Sequence, residues 1–163
     1  MPFTPYHLGP TLLIYAVGII LDPIALFLGV LLPDLEPAAY LFFGIGPGHG
    51  FFHSLLGALF LSVTAYLVSR VIWTGIERSR FAPRFTVPTQ LLSVAGALIG
   101  TLSHVILDAS LNTSKSVFFW PSRLYINGPV PVAAAYAFCI ICFFAAAAVF
   151  LVRGYYERKE GLS

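Results

Sequence analysis

Two histidines stand four residues apart in His49-Gly50-Phe51-Phe52-His53-Ser54, where a Gly/Pro-rich stretch gives way to a long apolar run. At a helix start that spacing puts both imidazoles on one face, about 5–6 Å apart at Cβ. The separation suits two ligands of one metal ion. His104-x3-Asp108 repeats the spacing with one nitrogen and one oxygen donor, or with a ligand and the carboxylate that orients it. Asp34 and Glu36 form a carboxylate pair flanked by Pro33 and Pro37, which bias the backbone away from a continuous helix. His7 is the remaining histidine. Singly, each has an ordinary explanation. His49 and His53 would pack like aromatic rings at a membrane interface. His104 would bond a backbone carbonyl, Asp34 would cap a helix, and Asp108 would be a solvated end residue.

The elements that must position these groups are set by composition. Of 163 residues, 58% are hydrophobic and 10% charged, against about 25% charged in soluble domains. So few charges cannot cover a soluble surface, and lipid is the expected solvent. The length fits one domain, residues 1–163. A net charge of +2 without a basic run or basic-aromatic stripe excludes a nucleic-acid reading. The opening segment lacks a basic n-region and carries Pro2, Pro5 and Pro10, so it is expected to stay in the mature protein rather than act as a secretory signal.

Polar punctuation divides the chain into apolar segments: His7 to Leu21, Ile24 to Leu32, Ala38 to Ile45, His53 to Ile76, Pro88 to Leu111 and Val132 to Val152. A spanning helix needs about 20 residues. The expected fold is therefore all-α: a polytopic membrane bundle of about four to five helices, the first short and the second short or broken near Pro33. Asn112 to Pro131 reads as a loop, rich in turn residues.

Seven of the nine Lys/Arg residues (Arg70, Arg78, Arg80, Arg84, Arg153, Arg158, Lys159) fall in or beside the 77–86 loop and the C-terminal tail. The positive-inside rule makes that side cytoplasmic and the N-terminus external. The same topology brings His7, His49, His53 and His104 to the opposite face, with Asp34, Glu36 and Asp108. Ionisable groups at membrane depth are costly and are functional candidates by default, and a metal ion offsets that cost with opposing charge. Three protein ligands suffice for a zinc site with an open position. The larger set implies two ions bridged by a carboxylate, or one ion with supporting residues around it. His7, Asp34, His49, His53, His104 and Asp108 are the candidate metal ligands, with zinc the expected ion. Asp34, Glu36 and Asp108 are the candidate proton acceptors.

Lys115 and Arg123 are the cations on that face; they would hold an anionic head group or simply snorkel. Ser54 has no nucleophile elbow around it and is expected to cap or pack. Trp120 and Tyr125 fit an interfacial belt. Cys139-x2-Cys142 lies inside an apolar run, where cysteine behaves as a small hydrophobe.

Four stretches in order, Met1 to Pro10, Leu31 to Pro37, His49 to Ser54 and Ser103 to Asp108, resemble the prokaryotic membrane-bound metal-dependent hydrolase family. That family is also described as LexA-binding, inner-membrane-associated and YdjM-like. The resemblance covers nearly the whole chain and implies a multi-pass membrane hydrolase with motif positions on His7, Asp34, Glu36, His49, His53, His104 and Asp108. The arrangement also looks like a reduced zinc-dependent phospholipase C site. The chain lacks the later H-x3-E pair of those enzymes, which puts a three-metal cluster in doubt. It also has Glu36 where the hydrolase family often has Asp.

Three functions follow as expectations. The first is a metal-dependent hydrolase of a lipid-linked ester or phosphodiester, with membrane lipid as its partner. The second is a membrane metal-binding or transport protein. The third is a non-catalytic interaction protein whose site rigidifies the fold.

Overall fold

Asp22 starts the helix on which the rest of the bundle is assembled. In the computed structural model, which describes residues 4–18, 20–46, 50–79, 86–111, 116–119, 124–126 and 129–160, its Oδ1 accepts from the Ile24 and Ala25 amides at 2.9 and 3.1 Å. Pro23 follows at the first helical position, where its missing N–H costs nothing. Helix α2 (Pro23–Leu31) then tightens into a single 3₁₀ turn (Leu32–Asp34) and resumes as α3 (Leu35–Phe43). The expected break at Pro33 is thus one tight turn. Pro33 and Pro37 each fall at the start of a new helical element, where a donor has no intrahelical partner. Gly44, at φ 65°, ends α3 in the left-handed region.

The remaining helices are α1 (Thr4–Val17), α4 (Leu55–Glu77), α5 (Gln90–Ser110) and α6 (Val132–Glu160). Among the described residues, four stretches are long and apolar enough to cross a membrane: Pro23–Phe43, Leu55–Glu77, Gln90–Ser110 and Val132–Tyr156. The 14-residue α1 is shorter than a span requires. The all-α membrane bundle expected from the sequence is what the chain forms. One addition falls in the 112–131 loop, whose described parts are a short antiparallel ribbon, β1 (Ser116–Phe119) with β2 (Leu124–Ile126). Outward residues such as Leu67, Val71, Ile141 and Phe144 are apolar and exposed, as a lipid-facing surface requires.

Small residues let the helices approach. On α5, Gly96 and Gly100 are four apart and face α2; a Cβ on Gly100 would overlap the Leu26 carbonyl. Ala25, Ala65 and Ala97 fill the centre where α2, α4 and α5 meet. This is the close packing expected of helices in lipid, where no hydrophobic force drives them together. Helix α1 lies against α6, with Gly9 seated on the Cys139 backbone. Cys139 and Cys142 are buried free thiols, packed as apolar residues.

Asp22 also ties the bundle at the end opposite the histidines. Its Oδ2 accepts from Ser69 Oγ at 2.5 Å and its Oδ1 from Trp73 Nε1 at 3.0 Å, both on α4. Burial pushes the carboxyl pKa up, but hydrogen bonds from Ser69, Ser93, Trp73 and Ala25 outweigh it and hold the group below the ordinary aspartate value.

Candidate metal centre

Each member of the cluster is brought in by a local device. His7 sits in the first turns of α1, fixed through the α1–α6 contact, where the Tyr6 and Tyr136 rings meet edge-on at 4.4 Å. Asp34 closes the 3₁₀ turn at Pro33, and Glu36 lies in the first turn of α3. His104 and Asp108 are stacked one turn apart on the inner face of α5.

His53 differs from the sequence expectation. It is not on α4 but in a separate 3₁₀ turn, Phe51–His53, ahead of it. The chain reverses there because Ser54 caps α4, accepting from the Gly57 amide at 3.1 Å. Its hydroxyl also donates to the Phe51 carbonyl at 2.7 Å. Gly57 has no Cβ, so the turn lies flat on α4; a side chain there would collide with the Phe51 carbonyl. Ser54 is therefore a cap, as expected. His49, Lys115 and Arg123 lie outside the described residues.

Five of the six remaining candidates meet around one of their number, Asp108. Its Oδ1 is 3.2 Å from His7 Nε2, and its Oδ2 is 3.7 and 3.6 Å from His53 Nε2 and His104 Nε2. Asp34 Oδ1 is 3.7 Å from His104 Nε2. The His7 and His104 rings are stacked, 4.2 Å between centroids and 14° from parallel. All three histidines and Asp108 are buried, while the side chains of Asp34 and Glu36 keep 19% and 15% of their exposure.

Glu36 stands apart from that centre. Its Oε2 accepts from the Gly50 amide at 2.9 Å and lies 3.1 Å from His53 Nδ1. A carboxylate accepts only, so Nδ1 carries the proton and the lone pair of Nε2 turns inward. The Gly50 amide is a part of this arrangement that the sequence reading missed; a backbone donor leaves no mark in residue types.

Among the described residues, two sets of three donors lie within 4.8 Å of one another: His53, His104 and Asp108, all buried, and His7, Asp34 and His104. The ring nitrogens of His7 and His104 make no well-formed hydrogen bond among the described residues, although both are buried. Buried imidazole nitrogens normally find a partner. Here the Nε2 atoms of both rings face the Asp108 carboxylate at 3.2 and 3.6 Å, a grouping that could hold a cation. Two histidines and a carboxylate also form a donor set that zinc takes in catalytic sites.

A family model described as YdjM inner membrane protein matches residues 5–161. No curated protein and no solved structure matches the chain. With the match running nearly end to end over a bundle of apolar helices, the chain belongs to the YdjM inner membrane protein family.

Proposed function

We propose that this protein is a metal-dependent hydrolase acting at the membrane surface on a lipid-linked ester or phosphodiester. The observation that carries the reading is the convergence of His7, His53, His104 and Asp108 on one buried space, with the Nε2 atoms of all three histidines turned toward the Asp108 carboxylate. His53, His104 and Asp108 would hold the ion: they form the wholly buried set, and Glu36 orients His53 as carboxylates orient zinc-bound histidines. Such an ion supplies Lewis acidity toward a carbonyl or phosphoryl oxygen and lowers the pKa of a water.

The remaining residues have distinct tasks. Asp34, at the partly exposed rim, accepts a proton from the attacking water and returns it to the departing alkoxide. The water oxygen ends on the acyl carbon or phosphorus, and the ester bond to the leaving oxygen breaks. His7, stacked on His104 with its Nε2 at 3.2 Å from Asp108 Oδ1, steadies that carboxylate beside the ion. Basic residues at the other end of the bundle support an orientation with the site on the outer face and the C-terminus in the cytoplasm.

Transport is the weaker reading. Among the described residues, Ser62 and Thr101 bond back to the Leu59 and Ala97 carbonyls of their own helices, and Ser69 is taken up by Asp22. Ala25, Ala65 and Ala97 close the centre, so nothing polar lines a path across.

Metal analysis of purified protein tests the proposal, followed by a phospholipid and lipid-ester panel with and without chelator. Bound zinc lost in His104→Ala, with chelator-sensitive hydrolysis, is the expected result. Protein that purifies and folds without metal and hydrolyses nothing overturns it.

A further inference from the structure

A groove of about 250 Å³ runs from the cluster to the lipid-facing surface between α1, α5 and α6. His7 and His104 form its inner end, and Pro10, Ile106, Leu107 and Phe138 its walls. Its only other lining groups, Ser103 and Ser110, turn their hydroxyls back to the Gly100 and Leu107 carbonyls at 2.9 and 2.6 Å. The walls are therefore apolar, and at its inner end the groove meets His7 and His104, whose ring nitrogens are themselves covered. At the outer lip, Ile106 and Phe138 are 55% and 51% exposed, on a surface that faces hydrocarbon.

The depth of the groove is specific. Phe138 lies six residues into α6 and Ile106 four residues before the end of α5, which is about 6–9 Å in from the helix ends at 1.5 Å per residue. The interfacial zone of each leaflet is about 5–8 Å thick. His104 is itself six residues, about 9 Å, from the end of α5, so an occupant of the groove lies level with it. Asp34 and Glu36 are not part of the groove's lining and keep 19% and 15% of their side-chain exposure.

We propose that this groove seats a segment of one acyl chain of a bilayer phospholipid, which reaches the histidines sideways from the membrane rather than from water. The inference rests on the cluster being the reacting centre, and it names the substrate class: a phospholipid cleaved at its interfacial linkage. The groove is too small for a whole lipid. The rest of the chain lies along Ile106 and Phe138 in the bilayer. Asp34 and Glu36 leave a separate route for water and for the released head group.

The test uses the full-length protein in vesicles of phosphatidylglycerol and phosphatidylethanolamine carrying a trace of phospholipid with a photoactivatable diazirine on its acyl chain. Cross-links mapped by mass spectrometry are expected to concentrate on Ile106, Leu107 and Phe138 over the exposed Leu67 and Val71 of α4. Ser103→Trp, and independently Leu107→Phe, fill the groove. Each should lower those cross-links about tenfold, as expected when burial of two methylenes is denied, with metal content and melting temperature unchanged. Each should also lose hydrolysis of long-chain phospholipid while keeping that of a water-soluble short-chain analogue. Labelling spread evenly over all lipid-facing residues, or unaltered by both variants, overturns the inference. Concentrated, variant-sensitive labelling in a protein that hydrolyses nothing upholds the lipid seat and overturns the hydrolase reading alone.

Discussion

His53 Nδ1 lies 3.1 Å from Glu36 Oε2, and the same oxygen holds the Gly50 amide at 2.9 Å. One carboxylate thus sets both the tautomer of the imidazole and the position of the turn that carries it. Removing it should leave every proposed ligand in place and still weaken the site. Glu36→Ala is expected to lower zinc affinity about 10–100-fold, the usual cost of losing a carboxylate behind a metal-bound histidine. Competition against a chromophoric chelator measures this directly; unchanged affinity would remove Glu36 from the site.

Asp34 gives the complementary result. It sits 3.7 Å from His104 but outside the fully buried donor set. In Asp34→Asn the ion should remain, while the hydrolytic rate falls about 10²–10⁴-fold, the contribution typical of a positioned proton acceptor. Loss of metal in this variant would instead make Asp34 a ligand.

The α2–α5 contact predicts a stability effect far from the site. A methyl group on Gly100 meets the Leu26 carbonyl, and neither backbone can yield without separating the helices. Gly100→Ala should destabilise the bundle by about 1–3 kcal/mol, the range for overpacking. Thermal unfolding in detergent reads it, with Gly75→Ala on α4, where nothing lies within 4 Å of the added carbon, as the control.

Asp22 predicts the pH dependence. Its carboxyl pKa is held below the ordinary value by the hydrogen bonds it accepts, so the folded state binds fewer protons than the unfolded one. The stabilisation is complete above the unfolded value of about 3.9 and is lost as pH falls through the lower, folded value. Wild-type melting temperature should therefore drop on acidification below pH about 4. Asp22→Asn should be less stable near neutrality and flatter in that acid range.

The sequence made the helices legible because lipid demands long uncharged runs, and the four spans announce themselves. The site was legible for the same reason. In a chain so poor in charge, His7, Asp34, Glu36, His104 and Asp108 stand out, and the alternation of spans sends them to one end. Local geometry was harder to read. That His53 precedes α4 in its own turn depends on Ser54 capping and on Gly57 admitting the Phe51 carbonyl, both of which look like ordinary small residues. Asp22 reads as a helix stop beside Pro23, and only the fold brings Ser69 and Trp73 to it from about fifty residues away. The Gly96 and Gly100 contact with α2 went unread, since small residues inside an apolar run do not say which helix they meet.

Helix α1 has no span of its own to anchor it. Too short to cross the bilayer alone, it is held against α6 by Gly9 on the Cys139 backbone and by Arg153 on the Val17 carbonyl. His7 thus owes its place to a contact between the first and last described helices. Loosening α6 would release that imidazole and leave His53, His104 and Asp108, carried by other elements, where they are.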